Sequence, residues 1–264
     1  MSAIILDEGL VHYEVLGRGR PLVFMHGWLG SWRYWMPTMD SLSDRFRAYA
    51  FDMWGFGGSD RNPQRYSLDS YVAQLDLFME ELGVMKASLV GHSMGAAVAL
   101  LFAERYPDRV DRIMAVSTPL AASTVSKRLL AGGGGSLLDR MLGRRAVTDY
   151  PEVELEATKA DLDAVAATAR SLDRFNLRDT LSELNRIPTL LVFGNKDPLV
   201  TPLTNDELLY RDGYVRPIGL NDSGHFPMLD EASKFQRLLR DFLDTRPEDL
   251  NALTLKEEWR RRMH

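Results

Sequence analysis

Short apolar runs alternate with longer segments of helical period along most of the chain. The runs are rich in aliphatic and aromatic residues, as strands are. They lie at residues 11–15, 22–25, 48–51, 88–90, 113–116, 189–193 and 215–218. Continuously apolar strands separated by helices are typical of a parallel sheet that is covered on both faces. The pattern therefore predicts an α/β fold whose β-sheet is mostly parallel and flanked by helices.

Helical period marks the segments between these runs. One helix is predicted at residues 68–82, opened by Ser67 as the N-cap and closed by Gly83. Further helices are predicted at residues 33–44, at 94–106, at 204–211, and around an apolar stripe formed by Phe235, Leu238, Leu239, Phe242 and Leu243. These helices supply the layers that cover the predicted sheet.

The alternation stops between Thr118 and Pro188, where we find no convincing strand. This stretch contains glycine at each of positions 132–135, which we interpret as a flexible hinge. One helical face is formed by Leu162, Val165, Ala169 and Leu172, and another by Leu177, Leu181 and Leu184. We predict a helical insertion at residues 119–187, over the carboxyl edge of a core made of residues 1–118 and 188–245. Residues 246–264 are predicted to form a helical tail, because residues 245–248 have capping-box spacing.

Composition narrows the function classes. The 264 residues carry a net charge of -5, which argues against a nucleic-acid partner because phosphate binding needs a basic surface. The chain contains no cysteine, so disulfides, thiolate metal sites and cysteine nucleophiles are excluded. No apolar run approaches the ~20 residues of a membrane span, and the first residues do not resemble a signal peptide. We expect a cytoplasmic protein with no membrane association, no metal and no organic cofactor.

The segment Gly91-His92-Ser93-Met94-Gly95 is the strongest chemical signal. It follows an apolar strand and opens an alanine-rich helix, which is the strand–turn–helix context of a nucleophile elbow. The flanking glycines leave room for a sharp turn with a strained central residue. We predict that Ser93 is the nucleophile of a hydrolase.

A serine hydroxyl needs a base to remove its proton. Of the five histidines, His264 ends the chain and His12 lies in an early strand that we expect far from the carboxyl-edge loops. His26 and His92 lie within the turn motifs themselves. His225 lies in a loop after the last strand, from which it can reach over the edge of the sheet, and we predict that it is the base.

The base needs a carboxylate that fixes its tautomer. Asp197 follows the apolar run at residues 189–193, and the order Ser93, Asp197, His225 is the chain order of this kind of elbow enzyme. Asp222 is closer in sequence to His225, but we interpret it as a turn residue. The tetrahedral intermediate also needs two backbone N–H donors, for which we predict Met94 and Trp28.

These stretches together resemble the α/β-hydrolase superfamily, within its group of esterases, haloperoxidases and C–C hydrolases. The matching segments are HGWLGS, DMWGFGGSD, GHSMGAA, GNKDPLV and SGHFPMLDEASKF. The resemblance implies that residues 119–187 form a lid above the active site and that the loop at residues 52–60 is mainly structural. Serine at the elbow differs from the aspartate of epoxide hydrolases and haloalkane dehalogenases, and is suited to ester chemistry.

The expected substrate is a small apolar or aromatic ester, with Trp28, Trp54 and Phe226 against it. For Trp32 and Trp35 we favour core packing. Hydrolysis of a C–C bond in a ring-cleavage product is the nearest alternative, in which Arg170 or Arg174 could hold a carboxylate. Perhydrolysis, and a lid-gated receptor with weak hydrolysis, stay open as well, and the oligomeric state is not predicted.

Overall fold

A computed structural model describes residues 2–28, 30–120, 150–172, 174–184, 187–201 and 214–255. Within these residues one eight-stranded sheet has the order β1-β2-β4-β3-β5-β6-β7-β8. The strands are β1 (Ser2–Leu6), β2 (Gly9–Leu16), β3 (Arg20–Met25), β4 (Phe46–Phe51), β5 (Ala87–His92), β6 (Val110–Val116), β7 (Thr189–Gly194) and β8 (Val215–Leu220). The strands from β3 to β8 pair in parallel, so their carboxyl ends meet at one edge, and the predicted fold class is confirmed.

Strand β1 is an addition to the predicted sheet. It pairs antiparallel with β2, with Leu6 opposite Gly9, so only Asp7 and Glu8 form the turn. Both residues have positive φ, 45° and 63°. Two-residue turns of this kind usually contain Asn-Gly or Asp-Gly, and an Asp-Glu pair gives no such signal in the sequence.

Helices lie between the strands, as the sequence predicts. They are α1 (Met36–Leu42), α2 (Leu68–Glu81), α3 (Met94–Arg105), α4 (Pro151–Ala157), α5 (Leu162–Leu172), α6 (Leu177–Glu183), α7 (Pro227–Asp230) and α8 (Ala232–Asp244). The helix predicted at residues 33–44 is divided: Trp32–Trp35 forms a 3-10 turn, and α1 begins only at Met36. Proline is tolerated in the first turn of an α-helix but not in its interior, so Pro37 requires the late start. Trp32 and Trp35 are buried, in agreement with a core role.

The insertion contributes α4, α5 and α6 to the described residues. On α5, Val165, Ala169 and Leu172 are buried. Leu162, which we predicted on the same helical face, is 57% exposed, so the prediction is wrong for this residue. Residues 121–149, Asp173 and residues 185–186 lie outside the described residues, and the glycine run at 132–135 lies among them. The boundaries of the insertion and its role as a lid stay predictions.

The C-terminal part begins with α8, whose apolar stripe is buried as predicted. Thr245 does not act as a cap for a following helix. Its hydroxyl donates to the Asp241 carbonyl at 2.7 Å, and Pro247–Ala252 forms a 3-10 helix. The helix predicted at residues 204–211 and the tail beyond residue 255 lie outside the described residues. Across the described ranges, every helix is too short or too polar to cross a bilayer.

Candidate active site

Ser93 is the single residue between β5 and α3, at the centre of the carboxyl edge of the sheet. Its backbone has φ 53° and ψ -113°, a conformation that non-glycine residues adopt only under strain. The Ser93 N–H donates to the Val116 carbonyl at 2.8 Å, which anchors the turn to β6. A β-carbon at Gly95 would lie 2.5 Å from the Met25 carbonyl oxygen, so α3 approaches β3 as closely as glycine allows. This is the elbow geometry that the sequence predicts.

His225 and Asp197 form a buried hydrogen-bonded pair. His225 Nδ1 and Asp197 Oδ2 are 2.8 Å apart, and both side chains are almost fully enclosed. The second carboxylate oxygen, Oδ1, accepts the N–H groups of Leu199 at 2.8 Å and Val200 at 3.2 Å. A carboxylate in this position can only accept, so the His225 proton is on Nδ1 and the Nε2 lone pair is available for a proton.

The loops after β7 and β8 are in close contact, and this contact brings the pair together. We call residues 195–200 the β7 loop and residues 221–226 the β8 loop. A β-carbon at Gly194 would lie 1.9 Å from the Gly224 carbonyl oxygen, so only glycine fits there. The Lys196 N–H donates to the Ser223 carbonyl at 2.9 Å. The exposed Asp222 carboxylate pairs with the Lys196 ammonium at 2.8 Å, as expected of a turn residue.

The β8 loop also contacts the elbow. His92, the residue before Ser93, has its Nε2 atom 2.8 Å from the His225 carbonyl oxygen. The two imidazole rings are 4.9 Å apart between centroids. Within the described residues, no hydrogen bond joins Ser93 Oγ to the His225 ring. The structure therefore links Asp197 to His225 directly, and His225 to the elbow through His92.

The described residues of the segment 26–30, which we call the β3 loop, bring Gly27 directly beside Ser93. A β-carbon at Gly27 would lie 2.9 Å from Ser93 Cβ. In the described part of the chain, the backbone N–H groups of Trp28 and Met94 have no hydrogen-bond acceptor. Leu29 is outside the described residues. An oxyanion hole requires two such N–H groups, and here one lies in the β3 loop and the other at the start of α3. The assignment of Trp28 and Met94 stays a prediction.

His26 fixes the orientation of this loop. Its Nδ1 atom is 2.8 Å from the Gly27 carbonyl oxygen, and its Nε2 atom accepts the Met53 N–H at 2.9 Å. The Gly27 carbonyl also accepts the Gly30 N–H at 3.0 Å. Because Nε2 accepts, the neutral ring carries its proton on Nδ1. Burial lowers the pKa of His26 to about 4, so the ring is neutral at neutral pH.

The loop at residues 52–60, which follows β4, is held by Asp52. The buried carboxylate accepts the N–H groups of Trp32 and Gly58, each at 2.8 Å, which agrees with a structural role. Burial raises the pKa of Asp52 to about 6. We expected His12 to lie far from the carboxyl-edge loops, and this prediction is wrong. Its N–H donates to the Ser59 hydroxyl at 3.0 Å. The cause is the antiparallel pairing of β2 with β4, which reverses the direction of β2.

The three residues predicted to contact substrate are all buried. The Trp54 ring lies under the Arg65 guanidinium, 4.8 Å from its centroid, and reaches Gly9 at the β1–β2 hairpin. The Phe226 ring packs 5.0 Å from the His92 ring. Trp28 donates its indole N–H to the Thr168 hydroxyl at 2.7 Å. Contact with substrate stays a prediction for each of them.

Residues of the insertion form hydrogen bonds with the segments at the sheet edge. Besides Thr168 on α5, Tyr150 donates its hydroxyl to Asp230, whose other carboxylate oxygen accepts the Gly224 N–H at 2.7 Å. Tyr34 also contacts the β3 loop, since its hydroxyl oxygen accepts the Gly27 N–H at 2.7 Å. Sequence reasoning missed Thr168, Tyr150 and Tyr34, because nothing in their local sequence marks their distant partners. His92 was set aside as part of the turn. Arg170 and Arg174 are both exposed.

Comparison with known proteins supports the α/β-hydrolase fold. A family model described as the alpha/beta hydrolase fold matches residues 20–132. A 2-hydroxy-6-oxo-2,4-heptadienoate hydrolase of Pseudomonas putida is 28% identical, with 92% of this chain and 96% of that protein covered. A pimeloyl-[acyl-carrier protein] methyl ester esterase of Vibrio cholerae is 25% identical, with 88% of this chain and 97% of that protein covered.

A solved structure gives the same result for the fold. The meta-cleavage product hydrolase CumD from Pseudomonas fluorescens superposes with a TM-score of 0.79 at 24% identity, covering 92% of this chain and 97% of the other. The chain therefore has the α/β-hydrolase fold, and the proteins to which it is similar are hydrolases.

Proposed function

We propose that the chain is a serine hydrolase that cleaves carboxylic esters through an acyl-enzyme on Ser93, with His225 as base and Asp197 as the acid. The buried Asp197–His225 pair, 2.8 Å apart at the edge where the strained Ser93 lies, carries the proposal. Strain and burial at one place are expected at a site that works on a bound substrate. The similarity to a methyl ester esterase supports the reaction class.

The first half of the reaction transfers the acyl group. Ser93 Oγ attacks the ester carbonyl carbon while His225 Nε2 takes the hydroxyl proton. Asp197 stabilises the imidazolium through its bond to Nδ1, and its own position is fixed by the N–H groups of the β7 loop. The tetrahedral intermediate then collapses, and the alcohol leaves with the proton from His225. Water repeats the sequence on the acyl-enzyme, which releases the acid and restores Ser93.

The negative oxygen of the intermediate needs donors that are already in position. We assign the N–H groups of Trp28 and Met94 to this role, because both are without an acceptor among the described residues and both flank Ser93. Met94 is also the first residue of α3, so the helix dipole favours negative charge at the same place. Loss of one such donor typically costs about a hundredfold or more in kcat.

We further propose that residues 119–187 act as a lid and that Trp28, with Phe226 behind the base, forms an apolar wall of the substrate site. The bond from Trp28 to Thr168 supports this arrangement, since it joins the loop beside Ser93 to α5. A second contact supports it as well: Arg33 Nη1 lies 3.5 Å from the buried Glu156 carboxylate on α4. Apolar walls favour an acyl chain or an aromatic ester as substrate.

The test is hydrolysis of p-nitrophenyl esters of increasing acyl length by the wild-type chain and by Ser93→Ala. We expect Ser93→Ala to lose at least about a thousandfold in kcat. The matched control is Ser88→Ala, a buried serine at the other end of β5 whose hydroxyl bonds Asp111 at 3.3 Å. Ser88→Ala should keep the wild-type rate. Full activity in Ser93→Ala would refute the proposal.

Hydrolysis of a C–C bond is the second candidate, and the similarity to a heptadienoate hydrolase over 92% of this chain favours it. C–C bond hydrolysis needs a cationic side chain that binds the carboxylate of the ring-cleavage product. The exposure of Arg170 and Arg174 gives them no support in that role. Decay of the absorbance of a dienoic ring-cleavage product, compared with ester turnover by the same preparation, separates the two. Faster turnover of the ring-cleavage product would favour the C–C reaction.

A further inference from the structure

A continuous chain of buried hydrogen bonds crosses the three loops around Ser93 without taking part in the proposed chemistry. The Gly27 N–H donates to the Tyr34 hydroxyl oxygen at 2.7 Å. The same oxygen lies 3.1 Å from His92 Nδ1, and His92 Nε2 lies 2.8 Å from the His225 carbonyl oxygen. The chain thus begins in the β3 loop, passes through the elbow, and ends in the β8 loop.

Only one arrangement of protons satisfies this chain. The His225 carbonyl can only accept, so His92 carries its proton on Nε2. Burial holds the pKa of His92 well below its usual range, so the ring is neutral and its Nδ1 is an acceptor. Tyr34 must then donate its hydroxyl proton to Nδ1, which leaves its oxygen free to accept the Gly27 N–H. Burial raises the pKa of Tyr34, which keeps that proton in place.

The rings of this chain are packed together and closed to water. Tyr34 is 4% exposed and His92 is 1% exposed. The Tyr34 and His92 rings meet edge to face at 5.7 Å between centroids, and Phe226 lies 5.0 Å from His92. A buried hydrogen bond whose partner is removed leaves an unpaired polar group, so the loops cannot move apart at these points without cost.

We propose that Tyr34 and His92 are positioning residues that hold the β3 loop and the β8 loop in register with Ser93. The inference rests on the proposed function, because it concerns the placement of the oxyanion donor and of the base. Tyr34 fixes the Gly27 N–H, and the next peptide along the chain carries the Trp28 N–H. His92 fixes the backbone of the base from the residue adjoining the nucleophile.

The kinetic test removes one hydroxyl. Tyr34→Phe deletes the acceptor of the Gly27 N–H and the donor to His92 while keeping the packed ring. With a p-nitrophenyl ester we expect kcat to fall about 10- to 100-fold, with KM changed less than about threefold, because a small misplacement mainly affects the transition state. The control is Tyr49→Phe, a buried tyrosine in β4 whose ring packs on Phe78 and Arg47. It should keep the wild-type kcat and KM.

The second test separates the two hydrogen bonds of His92, to Tyr34 and to the His225 carbonyl. In His92→Gln the amide nitrogen can replace Nε2 as donor to the His225 carbonyl, whereas His92→Ala has neither contact. We expect His92→Gln to recover a substantial part of the kcat lost in His92→Ala, at similar KM. A purely structural role would lower the melting temperature of both variants without this recovery.

A spectroscopic measurement on the wild-type chain does not depend on turnover. Ring-nitrogen NMR of isotope-labelled histidine should show His92 as the neutral tautomer with its proton on Nε2. The proton on Nδ1 would overturn the inference, as would Tyr34→Phe with wild-type kcat. Failure of the proposed function has a different signature: the wild-type chain would hydrolyse no ester and would not react with a fluorophosphonate.

Discussion

Replacing His26 with asparagine should remove a defined part of the acid sensitivity of folding. The folded chain keeps His26 neutral, since Nε2 accepts the Met53 N–H and the ring has no contact with water. Burial lowers its pKa from 6.5 to about 4. The unfolded chain therefore binds a proton at this residue between about pH 6.5 and pH 4 that the folded chain does not bind.

The direction and size of the effect follow from this difference. The contribution of His26 to stability is complete above about pH 6.5, and it is lost as the pH falls towards the folded pKa. Each pH unit in this window corresponds to about 1.36 kcal/mol, so the loss between about pH 7.5 and pH 5 is about 2 kcal/mol. Burial also lowers the pKa of His92 and raises that of Asp52, but both groups remain in the variant.

The assay is urea unfolding of the wild-type chain and of His26→Asn at a series of pH values from about 7.5 to 5. The variant should be less stable at the upper end, because it lacks the imidazole contacts. The gap between the two free energies of unfolding should narrow by about 2 kcal/mol as the pH falls. Equal urea dependence of the two proteins at each pH is the control. Parallel curves over the whole range would refute the reasoning.

Further predictions concern the site and its supports. Asp197→Asn should lower ester kcat by about four orders of magnitude because the His225 tautomer is lost, whereas the exposed Asp222→Asn should change it little, as stopped assays would show. Thr168→Val should lower the free energy of unfolding by about 1–3 kcal/mol, because it leaves the buried Trp28 indole N–H unpaired. Thr168→Ser, which keeps the hydroxyl, should retain the wild-type free energy of unfolding in urea titrations. Gly194→Ala should abolish ester hydrolysis by displacing the β8 loop, while Gly83→Ala, with nothing within 4 Å, should retain it despite its positive φ. Equal activity of the two glycine variants would contradict the close packing inferred for the β8 loop.

The sequence predicts those parts of the fold whose signals are local. Apolar runs predict most strands, and the Gly-His-Ser-Met-Gly turn predicts the elbow because the steric demand on its residues is local. Strand β1 was missed because Asp7 and Glu8 adopt positive φ without a glycine signal. The late start of α1 could have been predicted from Pro37, since proline restricts its own position in a helix.

Contacts between distant segments could not be predicted in this way. The bond from Trp28 to Thr168 joins residues 140 positions apart, and the bond from His92 to His225 joins residues 133 positions apart. No periodicity or motif encodes such partners, because they depend on how the loops pack once the sheet has formed. The position of His12 shows the same limit: its neighbours are set by the pairing of β2 with β4.

The most direct test of the central claim is to trap the acyl-enzyme. The wild-type chain is mixed with a p-nitrophenyl ester, stopped with acid during the burst of nitrophenol, digested, and measured by mass spectrometry. We predict the added mass of one acyl group on the peptide that contains Ser93, and none on that peptide in His225→Gln. Rapid ester turnover with no acyl group on Ser93, or with the group on another residue, would contradict the account.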